Sequence, residues 1–153
     1  MLDLACGSGR HSRFLAARGL VVEAVDRDAA ALAGLARVEG VRATQMDLES
    51  QPWPFPPGRF DGVVVTNYLH RPLFQDLAGA LKEGGVLVYE TFMRGQERLG
   101  RPSNPAFLLE PGELLTAFGG LQVIAFEQGL LASRVVQRLC AVRGTGPVSL
   151  ELE

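Results

Sequence analysis

Short apolar runs and segments of helical period take turns along this chain. "MLDLA" leads into "RHSRFLAAR", which Gly19 can close with a left-handed cap, and "LVVEAVD" precedes a helical "RDAAALAGLARV" ended by Gly40. "VRATQMD" reads as a third strand. The stretch "SQPWPFPPG" holds four prolines in nine residues and must be an extended connection, because each proline removes a donor and blocks a helix. "FDGVVVTN" is a fourth strand whose unbroken valines suit burial on both faces. In "RPLFQDLAGALKEGG", Leu73, Leu77 and Leu81 form one apolar helical stripe that stops at Gly84 and Gly85. "VLVYETF" is a fifth strand, and "PGELLTAF" starts a helix with Pro111 near its first turn. "LQVIAFEQG" and "SRVVQRLCAVRG" follow too closely for a helical crossover, so they should pair antiparallel. The alternation predicts an α/β fold: a doubly wound, mostly parallel seven-stranded sheet with a terminal antiparallel hairpin. At 153 residues it fits a single domain over 1–153.

The same composition narrows function. A net charge of −2 gives no broad electrostatic footprint for nucleic acid or anionic lipid, which need clustered, uncompensated cations. The cations are almost all arginine, so Lys82 is the one candidate for chemistry that needs an amine nucleophile. Cys6 and Cys140 lie far apart without metal-ligand spacing, which predicts no metal site and a reduced, cytoplasmic setting. The apolar runs are too short to span a bilayer, and the N-terminus lacks the basic and apolar stretches of a signal peptide.

In open sheets of this kind ligands sit at the carboxyl ends of the strands, and the loop after the first strand is the expected cradle. Gly7 and Gly9 occupy that loop and permit positive φ and close approach to the backbone. Asp26 ends the second strand, where a carboxylate can accept hydrogen bonds from both hydroxyls of a ribose. Asp47 ends the third, where it can accept from an adenine amino group. Asp3 is expected to point toward the same rim.

At these residues the sequence resembles the class I S-adenosylmethionine (SAM) dependent methyltransferases. "LDLACGSGRHSRFLAARG" is similar to that family's first motif and "VEAVDRD" to its second strand with a ribose-binding acid. "TQMDLE" is similar to the adenine-binding segment, and "WPFPPGRFDGVVVTNYLHR" and "LKEGGVLVYETF" to the fourth and fifth strand blocks. The resemblance implies that Asp3, Gly7 and Gly9 hold the methionine end of SAM, with Arg10 a candidate for its carboxylate. It places Asp26, with Arg27 beside it, at the ribose, Asp47 and the backbone of Leu48 at the adenine, and Asn67 along the methionine portion. S-adenosylhomocysteine would be the product. Ala5 stands where the family often has its first glycine, which narrows the closest backbone approach. "TNYLHRPL" lacks the Pro-Pro-aromatic sequence of amino-group methyltransferases, which points away from nucleic acid and toward a small-molecule acceptor. Relatives carry further chain before the first motif, so the domain is expected to lack an N-terminal segment that covers the cofactor.

Candidate proton carriers lie at the ends of the fourth and fifth strands: His70, Tyr68 and Glu90. His70 at a helix start can serve as a base or as a structural residue there. Tyr68 can wall the pocket, and Glu90 can face the site or pair with an arginine. Arg94, Arg98 and Arg101 lie in "MRGQERLGRPSNPAFLLE", long enough to be a lid or a solvated charged loop. Two other readings share the sheet. A nicotinamide-dependent reductase would need a third glycine where Ser12 stands, and a non-catalytic SAM-binding sensor or partner module would need no base at all.

Overall fold

The computed structural model describes residues 1–149. Its strands are β1 (Leu2–Leu4), β2 (Val22–Asp26), β3 (Val41–Gln45), β4 (Phe60–Thr66), β5 (Leu81–Phe92), β6 (Gln122–Leu131) and β7 (Arg134–Val142). They form one seven-stranded sheet in the order β3-β2-β1-β4-β5-β7-β6. β1 through β5 pair parallel, whereas β7 runs antiparallel between β5 and β6. The expected doubly wound architecture with its terminal hairpin is present, and β7 inserts inside the strand that precedes it.

Side-chain alternation decides what each face does. Leu2 and Leu4 of β1 join Val63, Val65, Leu87 and Tyr89 on one face, where they pack against Leu77 and Phe118. Each such fully buried side chain contributes about 1.5 to 3 kcal/mol of apolar transfer. The covering helices are α3 (Phe74–Ala80) and α4 (Glu113–Ala117). On the other face α1 (Arg10–Ala16) and α2 (Ala29–Ala33) lie over β2, where Ala24, Leu32 and Leu35 form a small second core. That face stays open over β5: Val88, in register with Val64 and Cys140, is 42% exposed although its strand is central.

Three helices differ from the sequence expectation. α2 ends at Gly34 and does not continue to Val38; beyond it the chain tightens into three-residue turns (Leu35 N–H to Leu32 O, 2.8 Å; Val38 N–H to Leu35 O, 3.0 Å). A glycine inside a helix costs about 1 kcal/mol relative to alanine, and here the Gly34 carbonyl accepts from Arg13 Nη2 at 2.6 Å. The segment after β4 opens as a 3₁₀ turn (Arg71–Leu73) before α3, and Leu81, still buried, begins β5. Pro111 lies outside α4, whose N-cap is Gly112 at φ 72°.

Candidate functional site

The loop after β1 is a left-handed turn. Ala5, Gly7 and Gly9 have φ of 52°, 54° and 78°, and Cys6 N–H donates to Val25 O of β2 at 3.1 Å. Asp26 completes the tie: its Oδ2 accepts from Gly7 N–H at 2.7 Å and its Oδ1 from Asp28 N–H at 2.9 Å. A carboxylate has about four lone-pair sites, so both oxygens keep acceptor capacity. A Cβ on Gly7 would meet nothing within 4 Å, so the turn opens onto free space. Asp28 also caps α2 by accepting from Ala30 and Ala31 N–H, which fixes the chain on the far side of Asp26.

Beside this turn lies a cavity of about 350 Å³. Leu4, Ala5 and Val25 form its floor. Asp26, Arg27, Met46, Asp47, Leu48 and Glu49 make one wall, from the ends of β2 and β3. The opposite wall is Asn67, Tyr68, Leu69, Thr91 and Phe92 from the ends of β4 and β5, with Pro102 and Phe107 from the segment beyond. All the carboxylates and the one guanidinium lie on the first wall; Tyr68 is the sole titratable side chain on the second.

Local contacts hold these groups. Asp47 Oδ1 accepts from Glu49 N–H at 3.1 Å in an Asx turn, which leaves its second oxygen out of that bond. Asn67 has φ 53°, an unusual conformation for a residue other than glycine that places it at the cavity edge, and its N–H donates to Glu90 O. Tyr89 Oη donates to Tyr68 O at 2.9 Å from within the core and fixes the backbone there. Burial, then the Glu49 carboxylate, pushes the Tyr68 phenol well above its ordinary range, so it holds its proton. Burial likewise pushes the Cys6 thiol up to about 12, which makes it an inert group within the turn.

The expected site residues divide. Ala5, Asp26, Arg27, Asp47, Leu48, Asn67 and Tyr68 meet at the cavity, with Gly7 bonded to Asp26 beside it. Asp3 does not point to the rim: alternation along β1 turns it away from Leu2 and Leu4, and its Oδ2 accepts from Ser12 Oγ at 2.5 Å beneath α1. Burial there raises its pKa despite the Ser12 hydrogen bond. Gly9 is buried, and its missing Cβ makes room for Leu35, whose Cδ2 would lie 2.4 Å away. Arg10 is exposed beside His11, and His11 Nδ1 lies 3.4 Å from Thr66 Oγ1. His70 is the half-buried cap residue of the 3₁₀ turn and is not on the cavity wall. Glu90 is engaged by Arg138 at 2.6 Å and Arg134 at 3.3 Å, off the wall, so the arginine-pairing alternative describes its position.

Sequence reasoning missed Met46, Glu49, Thr91, Phe92, Pro102 and Phe107. The signal for the last two was the long segment after β5, which is ordered by 3₁₀ turns at Gln96–Arg98 and Pro105–Phe107 and closed by a bridge between Met93 and Leu109. Among the described residues, no group of three or more His, Cys, Asp or Glu is gathered to hold a metal, and no helix is long and apolar enough to cross a membrane.

A strand-end acid with spare acceptors, a second acid one strand over and an open turn form a set of acceptors and space that fits the adenosine of SAM. A methyltransferase-domain family matches residues 1–85. In sequence, no curated protein matches the chain. Among solved structures, a SAM-dependent methyltransferase from Methanosarcina mazei is similar at 18% identity and TM-score 0.74, covering 95% of this chain and 92% of that one. The geranyl diphosphate C-methyltransferase of Streptomyces coelicolor, solved with Mg²⁺, geranyl diphosphate and S-adenosylhomocysteine, is similar at 20% identity and TM-score 0.69, covering 93% and 70%. A chain from the complex of the Haloferax volcanii methyltransferase activator Trm112 with a methyltransferase is similar at 15% identity and TM-score 0.72, covering 94% and 82%. With residues 1–85 matched by its model, the chain belongs to the methyltransferase-domain family and is a class I SAM-dependent methyltransferase.

Proposed function

We propose that this enzyme methylates a small molecule bound in the cavity between the carboxylate wall and the wall from β4 and β5. In this reading Asp26 accepts from the ribose hydroxyls with Arg27 beside it, Asp47 and the Leu48 backbone take the adenine, and the Ala5–Gly7 turn with Asn67 borders the methionine portion. The observation that carries the proposal is the shared cavity. The acids for the nucleoside and a separate wall for an acceptor face each other across one space. The Streptomyces coelicolor neighbour, named for a C-methyltransferase of geranyl diphosphate, supports a small-molecule acceptor on this fold.

When bound, SAM would supply a methyl group on a sulfonium: an acceptor lone pair would bond to the methyl carbon in line as the carbon–sulfur bond breaks, S-adenosylhomocysteine would leave with the electron pair, and any proton lost by the acceptor would pass to water. The protein's share is therefore alignment and exclusion of water, and such positioning is worth about 7 to 11 kcal/mol of barrier. Tyr68, which keeps its proton, orients by donating or by contact and does not act as a base. Glu90 is paired with two arginines, and His70, the residue before the 3₁₀ turn, does not line the cavity. Catalysis here rests on placement.

The test is thermal unfolding with S-adenosylhomocysteine and, separately, NADH. Ligand at about 100 times its dissociation constant adds roughly 2.7 kcal/mol of stability. A raised melting temperature with S-adenosylhomocysteine alone supports the reading, whereas a response to NADH alone overturns it. Mass spectrometry of cell extract incubated with the enzyme and methyl-labelled SAM then distinguishes a labelled small molecule from labelled RNA or protein.

A further inference from the structure

The second wall has a chemistry of its own. From Asn67 round to Phe107 it presents no carboxylate, ammonium or guanidinium. A charged acceptor seated against it would lose hydration and find counter-ions only on the facing wall, among Asp26, Arg27, Asp47 and Glu49, which the proposed reading gives to the nucleoside; a charge buried without a partner is costly. Of the arginines in the segment after β5, Arg94 pairs with Glu110 at 3.0 Å, and Arg98 and Arg101 are exposed and do not line the cavity. What the wall does present is the phenylalanines Phe92 and Phe107 and the apolar ring of Pro102, with Asn67 as a polar handle.

The rings are held in place. Gln96, buried in the segment after β5, donates through Nε2 to Arg101 O, next to Pro102, and accepts through Oε1 from Val135 N–H of β7. Arg71 grips the chain on both sides of Phe107. Its Nη1 donates to Ala106 O at 3.0 Å, its Nη2 to Leu108 O at 2.9 Å, and Glu113 holds the same guanidinium through both carboxylate oxygens. Phe107 is nonetheless 50% exposed. A phenyl ring fixed at the backbone and half bare, on a wall that itself carries no charge and across from acids that the proposed reading gives to the nucleoside, is a surface for another apolar ring.

We infer that the acceptor of this enzyme is an uncharged aromatic small molecule, stacked between Phe107 and the β5 end of the cavity. This rests on the proposed function, since it assigns the second wall to the acceptor. Calorimetry tests it in two stages. The protein is first titrated with S-adenosylhomocysteine, and the loaded protein is then titrated with three probes of one shape: 2-naphthol, 2-naphthoate and 2-naphthylmethylammonium. The expected result is that 2-naphthol binds at least about tenfold more tightly than either ion. Phe107→Ala should weaken 2-naphthol about fivefold or more, within what an aromatic pair is worth, and leave S-adenosylhomocysteine affinity within about twofold. S-adenosylhomocysteine binding followed by equal or tighter binding of an ion, by no binding of 2-naphthol, or by an indifferent Phe107→Ala overturns this inference alone. Failure to bind S-adenosylhomocysteine overturns the proposed function and this inference with it.

Discussion

The carboxylate wall and the ring wall line one cavity, yet they rest on different kinds of contact. Asp26, Asp28 and Asp47 accept hydrogen bonds from amides two or three residues along the chain, and Asp26 adds one bond across to Gly7. Phe107 and Pro102 depend instead on Arg71, Gln96 and Glu113, which reach them from other elements. A locally bonded wall is set as soon as its strands pair. The other holds only while several distant elements are docked, and local opening draws on such regions first.

The comparison can be broken from beneath the carboxylate wall. Gly9→Val would place a branched Cβ against Leu35 at a φ of 78°. Overpacking plus left-handed strain should cost about 2 to 5 kcal/mol, read by urea unfolding; a loss below about 0.5 kcal/mol would show that the turn yields and is not rigid. Next in size, Asp26→Ala removes acceptors from Gly7 and Asp28 as well as from the ligand. With charge-assisted bonds worth about 1.5 to 3 kcal/mol, S-adenosylhomocysteine affinity should fall roughly tenfold to a hundredfold by calorimetry. Unchanged affinity would move the nucleoside elsewhere.

On the ring wall the effects are smaller and confined. Arg71→Met frees the Ala106 and Leu108 carbonyls, and amide exchange at Phe107 and Leu108, which donate to Asn104 O and Pro105 O, should accelerate at least about tenfold while amides at Asp28 and Glu49 keep their protection. Uniform acceleration over both walls would erase the distinction. The smallest effect is pH-dependent. Burial alone would raise the Glu113 carboxyl, but its bonds from Arg71 and Glu110 N–H outweigh burial and hold it below its ordinary value of 4.5. A depressed carboxylate stabilises the fold above its unfolded pKa and loses that contribution as pH falls through the folded one. Glu113→Gln should therefore lower stability at pH 7 by about 1 kcal/mol or less, since the pair is partly solvated, with the gap closing as pH falls below 4.5. A gap that widens in acid would reverse the assignment.

The same division explains what was legible in the sequence. The alternation of strands and helices, the terminal hairpin and the placing of Asp26 and Asp47 follow from local period and from acids at strand ends. The inward turn of Asp3 was available from the alternation of Leu2 and Leu4, but a rim role was expected because an acid beside a glycine turn suggests a ligand. Gly9 could not be understood without Leu35, which the turn after α2 delivers from 26 residues on. The pairing of Glu90 needed the knowledge that β7, not β6, lies beside β5. Phe107 was hidden most deeply, since nothing near it in sequence reveals that Arg71, 36 residues earlier, fixes its backbone.

The insertion of β7 between β5 and β6 bears on how the protein can be made. As the chain leaves a ribosome, β6 emerges with no strand to join, because its only neighbour in the sheet is synthesised after it. Until Arg134–Val142 is out, the outer edge of β5 is bare and Leu130, on β6, has nothing to order the strand that carries it. An uncapped sheet edge next to an unpaired apolar strand is a template for association with other chains. Translation that stalls short of Val142 should thus yield a product that aggregates, although every residue of both cavity walls has already been made.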